Sequence, residues 1–181
     1  EKAARFLQLA DAFDVPVLSL CDTPGFMVGP EHEKNATVRR ASSMMVVGAS
    51  LSVPVFMVVL RKGYGLGAQA MGMGSFHVPQ MTLAWPTGEF GPMGLEGAVR
   101  LGYAKELASA GGEGTADGDA LFNKLLQAMI DNGKALNAAM YQEIDAVIDP
   151  RDTRAHLLRA LNAMPVGKKG SKGIRPFIAT W

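Results

Sequence analysis

The chain has little cysteine, no excess of one charge and no long apolar run. Its single cysteine, Cys21, excludes an internal disulfide or a cysteine-based zinc site and fits a reducing compartment. The 18 basic residues nearly balance the 17 acidic ones, which argues against nucleic acid as a partner. The longest apolar run is far shorter than the ~18 residues of a membrane span, and no signal peptide is recognisable. Because the chain opens on Glu1 within a helical pattern, we expect a fragment of a longer protein.

What the sequence does contain is an alternation of helical and apolar segments. Hydrophobic residues make up 48% of the 181 residues, which is ample for one core. The pattern predicts helices at 2–13, about 33–51, 68–76, 94–109, 118–141 and 151–163, and strands at 15–20, 55–60, 81–85 and 146–148. Strands that are apolar throughout and separated by helices are typical of a parallel sheet. The sequence therefore predicts an α/β fold.

Two glycine-rich loops follow the first two predicted strands. The segment 61–72, RKGYGLGAQAMG, has four glycines and leads into a predicted helix, and CDTPGFMVGPE (21–31) follows the first strand. Ligands of parallel α/β folds bind beyond the carboxyl ends of the strands. The N–H groups of a helix N-terminus favour an anion, either a phosphate or an oxygen that gains charge during a reaction.

Three interpretations of the second loop remain open on the residues alone. Residues 65–70, GLGAQA, match the dinucleotide pattern G-x-G-x-x-A, with Glu89 about twenty positions further on. Against this, RKGY (61–64) is expected to separate the strand from the glycines, and Glu89 follows a Pro-Thr-Gly turn. The glycines also suit an oxyanion site, or close packing of a helix on a strand without any ligand.

Other polar clusters predict neither a metal site nor a hydrolase. Glu31, His32 and Glu33 do not form H-E-x-x-H, because position 36 is alanine, and acids at a helix start are favoured by its dipole. No serine lies in G-x-S-x-G. We expect Asp22 to brace a turn or cap a helix, and Asp149 to cap the closing helix with Pro150 at its first position.

Six motifs in order resemble the carboxyltransferase subunits of biotin-dependent acyl-CoA carboxylases. They are EKAARFLQLADAFDVPVL (1–18), DTPGF (22–26), RKGYG (61–65), AWPTGE (84–89), MGLEGA (93–98) and VIDPRDTR (147–154). This resemblance implies a crotonase-like fold of stacked βαβ superhelical units and a chain that corresponds to the C-terminal half of such a subunit. It places the carboxyltransferase domain at 1–165 and a C-terminal tail at 166–181.

The resemblance also implies a reaction, in which CO2 moves from carboxybiotin to the α-carbon of an acyl-CoA. The C-terminal half is expected to supply the oxyanion pocket on the biotin side, with Leu66 and Gly67 as N–H donors and Gly25 and Phe26 on the facing loop. Gly65, Ala68 and Gln69 are expected to contact biotin or the acyl end of the pocket. Many relatives carry Gly where Leu66 stands and Ala-Tyr where Gly67-Ala68 stand.

The implied partners are an N-terminal carboxyltransferase half, a biotin carboxyl carrier protein, a biotin carboxylase subunit and further copies in a homo-oligomer. No metal, nucleic acid or membrane is expected. The implied location is the cytoplasm of a bacterium or the mitochondrial matrix of a eukaryote. The reverse direction, decarboxylation of an acyl-CoA onto biotin, and a non-catalytic domain of the same fold remain alternatives.

Overall fold

In a computed structural model that describes residues 1–164 and Ile178, helices alternate with short strands. The strands are β1 (Val17–Thr23), β2 (Val55–Tyr64), β3 (Met81–Ala84), β4 (Glu89–Gly91) and β5 (Ala146–Val147). The helices are α1 (Lys2–Ala12), α2 (Pro30–Lys34), α3 (Thr37–Gly48), α4 (Gly65–Met71), α5 (Leu95–Gly102), α6 (Ala104–Ser109), α7 (Ala116–Asn132), α8 (Ala135–Met140) and α9 (Thr153–Ala163). The 3₁₀ turn Pro150–Asp152 precedes α9. The tail predicted at 166–181 lies outside the described residues except for Ile178.

All named strand pairs in the described part of the chain are parallel, as the sequence predicted. The order is β1-β2-β3-β5, and β4 pairs with the last three residues of β2. Since the strands run in one direction, the loops after β1 and β2 leave the sheet at the same edge. Among the described residues, no helix is long and apolar enough to cross a membrane.

The core lies on both faces of the sheet. One cluster joins α4 and α8 to β1, β2 and β3 around Met57, Val59 and Ala84, and a second joins α1 to the start of β1 and β2. On the opposite face, Val58 and Leu83 pack against Ile148 and the partly buried Leu157 of α9. The two central strands, β2 and β3, are therefore covered on both faces.

The buried face of α1 differs from the predicted one. Helical periodicity over residues 2–13 predicts that Ala3, Phe6, Leu7, Ala10 and Phe13 share one face. The structure instead buries Ala4, Leu7 and Ala10 and exposes 63% of Phe6 and 75% of Phe13. The helix ends at Ala12, and its Leu7 and Ala10 pack in one cluster with Val17, Val53 and Val55, against which Met44 and Val47 of α3 also pack.

Strand β1 has an uncovered apolar face. Its side chains alternate, so that Val17, Ser19 and Cys21 are buried while Leu18 and Leu20 remain 46% and 51% exposed. Within the described residues, β2 is the only strand that pairs with β1, which makes β1 an edge strand.

Several predicted element boundaries were wrong. Strand β2 extends to Tyr64 rather than to residue 60, because residues 62–64 pair with β4, a strand the sequence did not predict. Helix α4 therefore begins at Gly65 and not at 68. The helix predicted at 33–51 is divided at Ala36, which has a left-handed backbone (φ 54°). The helices predicted at 94–109 and 118–141 are divided at Tyr103 and near Gly133.

Candidate active site at the carboxyl ends of β1 and β2

The two glycine-rich loops meet backbone to backbone. A Cβ placed on Gly67 would lie 2.8 Å from the Cα of Gly25, 2.9 Å from its carbonyl carbon and 3.3 Å from the nitrogen of Phe26. Such distances leave no room for a side chain, and backbone atoms cannot move aside as a flexible side chain can. Gly67 thus allows the loop after β1 to lie directly on the start of α4.

Gly65 fills a different structural role from Gly67. Its φ of +56° lies in the left-handed region, and a Cβ there would lie 2.6 Å from the carbonyl oxygen of Pro92. Gly25 also has a positive φ of +109°. Gly67 is not among the glycines with a positive φ, so only its close contact with the facing loop excludes a side chain there.

The main-chain N–H groups at this junction differ in whether they already donate a hydrogen bond within the protein. The N–H groups of Gly65, Leu66 and Gly67 have no acceptor within the helix, as in any first turn, and no side chain caps this end of α4. The N–H of Gly25 donates to Oγ1 of Thr23 at 3.2 Å, so it is already used within its own loop. Leu66, Gly67 and Phe26 are therefore the stronger donor candidates.

A groove of about 290 Å³ borders Leu66, whereas Gly67 and Phe26 do not line it. Its lining consists of Gly63, Gly65, Leu66, Gln69, Phe76, Phe90, Gly91 and Pro92. The rings of Phe76 and Phe90 meet edge to face with centroids 5.3 Å apart. Ala68, in contrast, is fully buried among core residues, so its side chain does not face the groove.

Asp22 holds the end of β2 against β1. Its carboxylate accepts a hydrogen bond from the N–H of Lys62 at 3.1 Å and pairs with the guanidinium of Arg61, also at 3.1 Å. The N–H of Lys62, followed by Arg61, lowers the pKa of the Asp22 carboxyl. Asp22 therefore braces a strand pair, and the expectation that it braces a turn or caps a helix is wrong.

Cys21, next to Asp22, is an inert thiol. Burial in the core, with a smaller effect of the neighbouring Asp22 charge, raises its pKa to about 11. Its Sγ lies 3.7 Å from the carbonyl oxygen of Lys62, to which it donates. A buried thiol with a raised pKa is not a nucleophile near neutral pH.

Tyr64 and Glu89 connect the start of α4 to β4. The hydroxyl of the buried Tyr64 donates to Oε2 of Glu89 at 2.7 Å, and burial, with Glu89 next, raises the pKa of that hydroxyl. Sequence reasoning missed this pair because it depends on β4, whose three residues show no periodicity.

One objection to the dinucleotide interpretation was wrong, since RKGY belongs to β2 and the glycines follow the strand directly. The other polar residues singled out in the sequence lie outside this junction. Glu31 forms an exposed ion pair with Lys34 at 3.0 Å. Asp149 accepts from the N–H of Arg151 at 2.9 Å and caps the 3₁₀ turn that leads into the closing helix, whose own N-cap is Asp152.

The chain belongs to the carboxyl transferase domain family, whose pattern it matches over residues 1–172. The propionyl-CoA carboxylase beta chain of Saccharopolyspora erythraea is 40% identical over 180 aligned positions, which cover 94% of this chain and 32% of that relative. The chain spans about a third of the length of the curated relatives it matches.

Solved structures support the same assignment. A single-chain, multi-domain long-chain acyl-CoA carboxylase aligns with a TM-score of 0.77 at 55% identity, over 88% of this chain and 15% of that one. The transcarboxylase 12S structure, a hexamer with methylmalonyl-CoA and methylmalonic acid bound, aligns with a TM-score of 0.76 at 31% identity, over 97% of this chain and 34% of that one. The crotonase-like fold expected from the sequence is confirmed by these neighbours.

Proposed function

We propose that this chain is the C-terminal half of a carboxyltransferase that moves CO2 from carboxybiotin to the α-carbon of an acyl-CoA. The observation that carries the proposal is the contact of Gly67 with Gly25 and Phe26, which joins the DTPGF and RKGYG loops into one junction. Family membership supplies the reaction class. The domain is proposed to span residues 1–165.

The residues at this junction suit a biotin ureido group. Biotin, bound to a carrier protein, would supply the carboxylate, and its ureido oxygen gains negative charge as the carboxylate leaves. The N–H groups of Leu66 and Gly67 would donate to that oxygen from the start of α4, and Phe26 would donate from the facing loop. Donors fixed in advance stabilise developing charge, and each typically contributes ~3 kcal/mol to the lowering of a barrier.

The remaining candidate residues shape the junction. Gly65 turns the chain into α4, and Gly25 allows the facing loop to approach. Gln69 is exposed on the groove, where the resemblance places residues near the acyl group. Ala68 contributes by packing α4 onto the core.

The partners are proposed from the same relationship. Relatives that are three times as long have room for an N-terminal half, which we propose binds the thioester beside this junction. Relatives are named as beta chains or biotin-dependent subunits, and one forms a hexamer. We therefore propose a carrier protein and a biotin carboxylase subunit as partners, a homo-oligomer as the assembly, and the cytoplasm or mitochondrial matrix as the location.

A first prediction concerns the isolated chain, which is expected to show no carboxyl transfer by itself. The physical reason is that the thioester's own oxyanion pocket lies in the other half. Turnover is measured as the carboxylated product formed from carboxybiotin and acyl-CoA, first with this chain alone and then with an N-terminal half and a biotinylated carrier added.

Turnover by the chain alone would contradict the division of the site between two halves. No turnover by the complete assembly, with any acyl-CoA and in either direction, would contradict the proposed function and favour a non-catalytic domain. If the assembly transfers carboxylate only from a carboxylated acyl-CoA to biotin, and not in the reverse direction, the decarboxylase function is favoured. A near-ultraviolet difference spectrum with NAD(P)H would instead indicate a dinucleotide-dependent reductase, the alternative function that the G-x-G-x-x-A pattern at 65–70 suggests.

A second prediction concerns the acyl group. Similarity to a long-chain acyl-CoA carboxylase at 55% identity and the apolar groove lined by Leu66, Phe76 and Phe90 favour a long chain. We expect kcat/KM of the assembly to be about tenfold or more higher for palmitoyl-CoA than for propionyl-CoA, since each buried methylene contributes ~0.8 kcal/mol. Equal or reversed values below the micellar concentration of the thioester would exclude this specificity.

A further inference from the structure

Strands β1 and β2 lose their regular register immediately before the two site loops. They pair one to one from Val17 to Cys21, after which Thr23 pairs with Gly63. Three residues of β2, Leu60 to Lys62, therefore lie opposite a single residue of β1, Asp22. An irregularity of this kind bends a strand and is frequent next to active sites.

Two consecutive residues of β1 hold this irregularity in place. The carboxylate of Asp22 accepts from the N–H of Lys62 at 3.1 Å and pairs with Arg61. The thiol of Cys21 donates to the carbonyl oxygen of the same Lys62. Both main-chain polar groups of Lys62 are thus bound to side chains of β1.

We propose that Asp22 is a positioning residue, which sets the separation of the two groups of N–H donors. The inference rests on the proposed function, because the proposed function assigns these donors to the reaction. Asp22 lies four positions before Phe26, and Lys62 lies four positions before Leu66. The bond between them therefore fixes the two chain segments just where they diverge, and the contact of Gly67 with Gly25 transmits any shift to the donors.

The test uses Asp22→Ala in the complete assembly with the N-terminal half and the biotinylated carrier. We expect kcat to fall by about 100-fold, the loss that follows from a displacement of about 1 Å. The KM for propionyl-CoA should stay within about twofold, since the CoA and the thioester carbonyl are proposed to bind in the other half. Hydrogen–deuterium exchange should become faster in residues 24–29 and 64–68.

Two conservative variants separate the bond to Lys62 from the ion pair. Asp22→Asn keeps an oxygen that accepts from the N–H of Lys62 and loses only the charge opposite Arg61. An exposed ion pair contributes at most about 1 kcal/mol, so kcat should recover to within about fivefold of the unmodified assembly. Arg61→Met should give a similarly small loss.

Asp149→Ala is the matched control. Asp149 accepts from the N–H of Arg151 at 2.9 Å and pairs with its guanidinium at 2.7 Å, the same chemistry as at Asp22. It follows β5, which is separated from β1 by β2 and β3. We expect unchanged kcat and unchanged exchange in the two site loops.

The inference is overturned if Asp22→Ala keeps the original kcat, or if Asp149→Ala produces the same loss. It is also overturned if Asp22→Asn is as inactive as Asp22→Ala with site loops that exchange normally. An assembly without any turnover would contradict the proposed function, and the exchange comparison of the two alanine variants would still show whether Asp22 positions the loops.

Discussion

Gly67→Val is expected to lower biotin-dependent turnover of the complete assembly by about 100-fold or more. A Cβ at this position would lie 2.8 Å from the Cα of Gly25, so the loop after β1 must move away from α4. The N–H groups of Phe26 and Leu66 then no longer converge, and loss of a single aligned oxyanion donor already costs 10²–10³ in kcat.

The measurement is decarboxylation of malonyl-CoA with free biotin as acceptor, together with acyl-CoA binding by calorimetry. We expect the binding constant for the thioester to change little. Gly102→Val is the control, because Gly102 lies at the end of α5 with open space around its missing side chain. Weakened CoA binding with normal biotin kinetics in Gly67→Val would show that this junction serves the other ligand.

Gly65→Ala is expected to reduce the free energy of unfolding by about 3 kcal/mol. About 1–2 kcal/mol of this loss comes from the left-handed backbone at φ +56°. A further 1–3 kcal/mol, roughly, comes from crowding against the carbonyl oxygen of Pro92, which a Cβ would approach to 2.6 Å. The measurement is the urea midpoint and its slope for the purified chain.

Two other glycines separate these contributions. Gly112 has a positive φ of +80° with nothing within 4 Å of a Cβ, whereas Gly94 has open space and a φ of −53°. Gly112→Ala should therefore show the backbone contribution alone, and Gly94→Ala neither contribution. If Gly65→Ala is no more destabilising than Gly112→Ala, the contact with Pro92 relaxes freely and our account of the turn is wrong.

The sequence predicted the parallel sheet and most helices because these depend on local periodicity. It did not predict β4 or the extension of β2, since Lys62, Gly63 and Tyr64 are strand residues only through pairing with β4. Motifs identified the site residues, but the sequence did not show why those residue types are required. Gly67 faces Gly25 across 42 positions of chain, and no spacing within either loop indicates that contact.

The uncovered face of β1 has a consequence for the colloidal behaviour of the chain. An edge strand with Leu18 and Leu20 half exposed offers free backbone groups and apolar side chains to another molecule. Intermolecular strand addition at this edge depends on protein concentration and does not require unfolding, unlike thermal denaturation. A purified sample is therefore expected to lose material by slow precipitation at temperatures well below its melting point, and a lysine in place of Leu18 or Leu20 would slow that loss.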